Sequence, residues 1–294
     1  MTGHMRLFVF GLGYSAGRFA TAMRGRAEWI GGTVRTIDRA VELAAEPAVR
    51  PYVFDGGSPS VGVCEALKVA THLLVSIPPG ENGDPVLAEH RETLRAAAGL
   101  KWIGYLSTVG VYGDRGGDRV DEATPPQPAS KRGKRRVIAE VAWRKVAAEL
   151  GVPLAIFRIA GIYGPGRNAF VNLAEGKAHR IVKPGQVFNR IHVDDIIAAL
   201  VSTVGKDAAG VFNLADDEPA PPQDVVTFAA GLMGIDPPPE VPYDRADLSP
   251  MARSFYDENK RVSNSRTKQK LDLSLRYPTY REGLGAMWRD ETWR

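Results

Sequence analysis

Sulfur chemistry has little to work with in this chain, which carries a single cysteine, Cys64, among 294 residues. One thiol excludes an internal disulfide and any multi-cysteine metal site, and it suits a reducing compartment. No metal centre is expected. No uninterrupted apolar run approaches the roughly 18 residues of a membrane span, and the first residues lack the apolar stretch and cleavage site of a secretory leader. A cytoplasmic protein without a membrane partner is therefore expected. Charge of one sign is scarce as well. The formal net charge is +4, too small an excess to mark nucleic-acid binding without a local basic stripe. Internal repeats and low-complexity tracts are also missing.

What is present is ordinary globular material, 44% apolar and 24% charged, which allows a packed core. The length suits a large α/β domain with a smaller lobe, divided here as residues 1–165 and a partly interleaved 166–294. Gly3-His4-Met5 reads as a cloning remnant ahead of the first strand. Short apolar runs at 6–10, 33–35, 51–54, 72–77 and 102–107 alternate with helical stretches at 16–24, 39–45 and 85–98. That is the pattern of βαβ units and a doubly wound, mostly parallel sheet. The clearest helix is 133–150, with Val137, Ile138, Val141, Ala142, Val146 and Leu150 forming an apolar stripe and Gly151-Val152-Pro153 ending it. A sixth strand follows at 152–159. Beyond it Gly and Pro become frequent and the alternation fades, which marks the second lobe.

Gly11-Leu12-Gly13-Tyr14-Ser15-Ala16 follows an apolar strand and opens a helix, so a G-x-G-x-x-G/A pattern stands in the context that gives it meaning. Gly11 permits the tight turn, Gly13 lets backbone approach a diphosphate, and small Ala16 lets the helix pack on the strand. A glycine turn alone carries no such meaning; the βαβ sequel supplies it. Near the end of the second strand, where NAD-binding folds place an acid for the ribose 2′-hydroxyl, this chain has Val34-Arg35-Thr36. Arg35, helped by Arg39, suits a 2′-phosphate through its planar donor fork and favours NADP(H). Asp38 nearby keeps NAD(H) open, and a plain solvent-exposed Arg35 is the bland alternative.

Further stretches join this turn: Ser107-Thr108-Val109-Gly110-Val111-Tyr112-Gly113-Asp114, 158–166 (RIAGIYGPG), 190–195 (RIHVDD), 212–219 (FNLADDEP) and Tyr277-Pro278-Thr279. With them the chain resembles the extended and atypical short-chain dehydrogenase/reductases, the NAD(P)-dependent epimerase/dehydratase relatives, over nearly its whole length. The resemblance implies a seven-stranded parallel Rossmann sheet and a C-terminal substrate lobe, with the active site between them. It gives Asp55 the adenine-contacting role, Ser76-Ile77-Pro78-Pro79 the lining of the adenosine and diphosphate, and Thr108 the part of the family's catalytic Ser/Thr. Gly161 and Ile162 fall in the segment bordering the nicotinamide. A small-molecule substrate is implied, and a homodimer by analogy with relatives.

The pattern breaks at the general acid/base, where the family has a Tyr with a Lys four residues later on one helix face. Aligned through Ala139-Glu140, this chain places Arg132 and Arg136 at those positions, inside a basic run at 131–136. An arginine stays protonated near neutral pH, so it can stabilise an oxyanion but shuttles protons poorly. Thr108, Arg132 and Arg136 are thus the candidate catalytic groups, with Tyr112, Tyr14 or water left as proton sources. The basic run lacks interleaved aromatics, which argues against nucleic acid. His192, between Ile191 and Val193, reads as a packed structural residue, and Asp194 or Asp195 as a helix N-cap. Two functions remain open: an oxidoreductase or epimerase/dehydratase-like enzyme, and a dinucleotide-binding sensor that has lost catalysis.

Overall fold

The computed structural model describes residues 5–45 and 49–294, so Gly3 and His4 lie outside the described residues. The elements run β1 (Arg6–Phe10), α1 (Tyr14–Ala22), β2 (Trp29–Val34), α2 (Ile37–Ala44), β3 (Arg50–Val53), α3 (Val61–Val69), β4 (His72–Val75), α4 (Pro85–Ala96), β5 (Trp102–Thr108) and β6 (Arg119–Val120). They continue as α5 (Lys131–Leu150), β7 (Leu154–Ile159), β8 (Gly161–Tyr163), α6 (Ala169–Ala174), β9 (Arg180–Val182), β10 (Arg190–His192), α7 (Val193–Gly205) and β11 (Gly210–Leu214). The chain closes with α8 (Pro222–Met233), β12 (Glu240–Pro242), α9 (Pro250–Tyr256), β13 (Arg261–Val262), α10 (Ser265–Leu271) and α11 (Tyr280–Arg289). Among the described residues no helix is long and apolar enough to cross a membrane.

Seven strands form one sheet in the order β11-β7-β5-β4-β1-β2-β3. The pairs β1–β2, β1–β4, β2–β3 and β4–β5 are parallel, as a chain that returns through a helix after each strand requires. Central strands read as near-continuous apolar runs because helices cover both faces; the four residues of β4 are all buried.

The chain divides into two units, each assembled from separate stretches. The first holds the residues up to Ser107 together with Lys134–Phe157 and Ile197–Phe212. Its core packs Phe8, Phe10, Phe54, Leu73, Ile103 and Trp143. Asp84 is a hub there. One carboxylate oxygen caps α4 by accepting from Val86 N and Leu87 N at 3.0 and 3.2 Å, and the other accepts from Trp143 Nε1 at 2.9 Å. The second unit holds Thr108–Gly133, Arg158–Ile196 and Asn213–Arg294. One of its cores gathers Tyr163, Phe170, Val225, Tyr280, Leu284 and Met287.

Helix α5 corrects the sequence reading of its inner face. Ile138 and Val141, placed in the apolar stripe, are 63% and 58% exposed, whereas Ala139, Glu140, Trp143, Val146 and Ala147 are buried. The buried set is spaced i, i+1, i+4, i+7, i+8, a helical face rotated from the apolar maximum. A polar residue anchors it. Ser107 Oγ donates to Glu140 Oε1 at 2.7 Å, and Arg144 Nη2 donates to Glu140 Oε2 at 3.1 Å.

His90 is fully buried beside the Phe10 and Phe54 rings, its Nδ1 3.7 Å from Cys64 Sγ. Burial pushes its pKa below the ordinary 6.5. His72 is lowered too, burial outweighing its contact with Asp207. Both side chains therefore bind protons less readily folded than unfolded, so stability falls as pH drops through the unfolded value of about 6.5. Urea midpoints at pH 7.5 and 5.5 check this. A lower midpoint at pH 5.5 is expected, and His90→Leu should shrink the difference; a pH-independent midpoint would contradict the assignment.

Candidate functional site

The glycine turn lies in the first unit between β1 and α1. Gly11 has φ +90°, and a Cβ there would stand 2.6 Å from Ile77 Cγ2, so both conformation and space demand glycine. The turn is bolted to β2: Gly11 N donates to Thr33 Oγ1 and Leu12 N to Thr33 O, both at 2.8 Å. Thr33 was not singled out from sequence, because its role depends on a strand pairing partner 22 residues away.

Gly13 is the N-cap of α1, with no side-chain cap and no acidic residue in the first turn. A Cβ at Gly13 would meet nothing within 4 Å. A helix start with no side-chain cap, no first-turn acid and room beside its N-cap residue is what an anion needs at a helix N-terminus. Tyr14 is half-buried, while Ser15 and Ala16 are buried where α1 meets the sheet. Ser76 N donates to Phe10 O at 2.9 Å, continuing the register of β4 with β1; Ile77 is half-buried and Pro78 exposed. These residues fit a dinucleotide diphosphate: an uncapped helix end, a turn that only glycine can make, and open space before it.

At the end of β2, Arg35 is exposed and has no hydrogen bond or ion pair among the described residues. Thr36 caps α2 by accepting from Arg39 N at 3.4 Å, and Arg39 Nη1 pairs with Glu42 at 2.6 Å. Of the two arginines read as phosphate partners, one is free and the other is engaged along its own helix. Asp55 is exposed and accepts from Gly57 N at 2.9 Å, which shapes the turn after β3.

Arg136, also in the first unit, departs from its expected presentation to a ligand. Its Nη1 donates to Tyr105 Oη at 3.0 Å and to Leu106 O at 2.7 Å. The guanidinium braces α5 against β5 and draws on a strand that helical spacing does not reveal. The neighbouring Glu140 is the functional-looking acid that sequence reasoning used only as an alignment anchor. Glu140→Ala should cost about 2–4 kcal/mol in denaturant unfolding, since Ser107 and Arg144 lose a buried acceptor, and Glu140→Gln clearly less. Equal losses for the two variants would deny the hydrogen bonds their part.

In the second unit, Thr108 is half-buried and its Oγ1 accepts from Gly110 N at 3.1 Å, capping a short 3-10 turn, Val109–Tyr112. Arg132 is exposed with its guanidinium 4.7 Å from the centre of the Phe255 ring. Tyr112 is fully buried, donates to Asn213 Oδ1 at 2.7 Å and lies under Arg158. Burial pushes its phenol pKa up, so it is a poor acid at neutral pH. Gly161 and Ile162 belong to β8, which pairs in parallel with β10; Gly161 is exposed and Ile162 half-buried.

His192 is 1% exposed, packed between the Tyr163 and Tyr277 rings, and its Nδ1 accepts from Asp194 N at 3.2 Å. It is the structural residue the sequence suggests, and it caps α7 itself. The aspartates stand in the first turn instead. Asp195 accepts from Arg276 N and Tyr277 N at 2.6 and 3.1 Å, pinning the Tyr277-Pro278-Thr279 stretch. Among the described residues no group of acidic, histidine or cysteine side chains is arranged to hold a metal.

Comparison with known proteins agrees with this architecture. The family model described as the NAD dependent epimerase/dehydratase family matches residues 89–215. The solved structure of a functionally unknown conserved protein from Silicibacter pomeroyi DSS is 46% identical, covers 98% of this chain and 99% of its own, and superposes with a TM-score of 0.87. The NAD complex of dTDP-glucose 4,6-dehydratase from Bacillus anthracis shares the fold at a TM-score of 0.78 and 18% identity, covering 98% of this chain and 97% of its own. A 3-diazoavenalumate denitrifying reductase from Streptomyces sp is 27% identical over 161 residues. That match spans about half the length of each chain, 51% of this one and 51% of the reductase. The chain is thus similar to the NAD dependent epimerase/dehydratase family over residues 89–215 and shares the fold of the dehydratase over its length.

Proposed function

We propose that this chain is an NADP(H)-dependent oxidoreductase of the epimerase/dehydratase family that works on a small molecule in the cytoplasm without the usual Tyr–Lys acid/base pair. The observation that carries the reading is the open, uncapped N-terminus of α1 behind Gly11 and Gly13. Arg35, exposed and uncommitted at the end of β2, supports the phosphorylated coenzyme. When bound, such a coenzyme supplies or accepts a hydride.

The protein's own contribution is positioning and charge. Helix α5 carries no tyrosine, and Tyr112 is spent on Asn213. Thr108 and Arg132 are the groups proposed to polarise a substrate oxygen. A reaction that draws no proton from a protein side chain suits this set, and the partial relative whose name describes a reductase points the same way.

NADPH and NADH titrations, followed by absorbance assays over a carbonyl panel, test the proposal. Expected are preferred NADPH binding and a substrate-dependent absorbance change that Thr108→Ala reduces about 10-fold or more. Turnover untouched by Thr108→Ala would remove Thr108 from the mechanism. NADPH binding with no turnover on any panel member would leave a coenzyme binder without the proposed activity.

A further inference from the structure

The second unit contains a pocket of about 230 Å³ that the coenzyme reading does not use. Its lining is apolar at Val225 and Val226 of α8 and Leu284 of α11. Arg190 of β10 lines it together with Tyr163 and Tyr280, and Lys177 and His179 add two further basic side chains. We propose that this pocket binds a small organic monoanion, a carboxylate carried on a ring-sized apolar body.

Arg190 supplies the attraction. Its Nη1 donates to the carbonyls of Phe188 and Ala220 at 3.0 and 3.1 Å, and no carboxylate among the described residues lies within ion-pair range of it. The nearest acid that influences it, Asp216, is 1% exposed, and burial pushes its carboxyl up to about 8 despite Arg190. Burial thus favours the neutral form of Asp216 and weakens it as a counter-charge for the guanidinium. A partly buried cation with no ion pair is costly, and a ligand that brings a counter-charge recovers some of that cost.

Tyr280 is the second, independent observation. It is 1% exposed, and its hydroxyl is buried with no hydrogen-bond partner among the described residues, a condition that buried polar groups rarely keep. A carboxylate oxygen in the pocket would accept from it. The volume is below the roughly 300 Å³ at which typical small-molecule sites begin, so the ligand is small. The pocket's apolar lining residues take the ligand's body, and this combination distinguishes an organic acid from inorganic phosphate.

Calorimetry with benzoate, the uncharged benzamide and inorganic phosphate tests the site on the full-length protein. Benzoate should bind, and benzamide and phosphate at least about tenfold more weakly. Tyr280→Phe, which removes only the hydroxyl, should weaken benzoate about fivefold or more. Val226→Trp, which fills the cavity, should abolish benzoate binding while NADPH affinity stays as in the parent, so failure here is separable from failure of the coenzyme reading. No benzoate binding, equal binding of benzamide, preference for phosphate, or benzoate binding undisturbed by Val226→Trp would each overturn the proposal.

Discussion

Gly13→Asp is expected to bind neither coenzyme detectably while melting at the same temperature as the parent or slightly above it. The two effects have opposite signs for one reason. Gly13 has φ −83°, accessible to any residue, and a Cβ there meets only open space, so the backbone tolerates a side chain. As an N-cap, aspartate accepts from backbone amides in the first turn of α1 and stabilises the helix by a few tenths of a kcal/mol over glycine. That same carboxylate occupies the amides and the room that a diphosphate needs, and adds like charge. A loss of two charge-assisted hydrogen bonds at about 1.5–3 kcal/mol each makes a 100-fold or larger rise in Kd the expected reading. Gly11→Ala is the contrast. Its φ of +90° and the 2.6 Å approach to Ile77 should lower the melting temperature, by about 1–3 kcal/mol of strain, and weaken binding through the distorted turn. Calorimetry and thermal melts on both variants give four measurements. Retained affinity in Gly13→Asp would remove the α1 N-terminus from coenzyme recognition.

The first unit was legible wherever its signal is local. β1, the glycine turn and α1 follow one another within 17 residues, from Arg6 to Ala22, and each is specified by its own apolar run, glycines or small residues. Helix α3 was not read. Its buried Val63, Ala66 and Leu67 keep helical spacing, but exposed Val61 and Val69 at its ends blur the contrast between faces. The face of α5 was misread because apolarity is a proxy for burial. Glu140 is fully buried since Ser107 hydrogen-bonds it from 33 residues away, a compensation invisible to a pattern of side-chain polarity.

The candidate site divides along the same line. The local glycines were recognised, whereas Thr33's tie to the turn and the contacts of Arg136 with Tyr105 and Leu106 required strand register and helix rotation. Arg132 and Arg136 stand one helical turn apart and look equivalent in sequence, yet one lies over Phe255 and the other against β5. Helical spacing gives direction only to within a sector, and the neighbouring element decides what each side chain meets.

Arg35→Ala should weaken NADPH about 10- to 100-fold and leave NADH within about twofold, since a bidentate guanidinium–phosphate contact contributes roughly 1.5–3 kcal/mol and only one coenzyme carries that phosphate. The selectivity of this prediction comes from position. Arg35 is the first residue after β2 and is exposed without a partner among the described residues, so its removal takes none of their contacts from the fold and the melting temperature should hold. Arg39→Ala should have a smaller effect, because that guanidinium is already paired with Glu42 at 2.6 Å and must leave it to serve a ligand. Raising the salt concentration should erode the NADPH preference of the parent and spare NADH, as screening acts on the extra charges alone. Asp38, exposed in the first turn of α2, gives the opposing case. If Asp38 receives the ribose hydroxyls of the unphosphorylated coenzyme, Asp38→Asn will weaken NADH, and Arg35→Ala will leave NADPH unchanged. Equal loss of both coenzymes on removing Arg35 would instead assign it to their common part and end its role as the group that tells them apart.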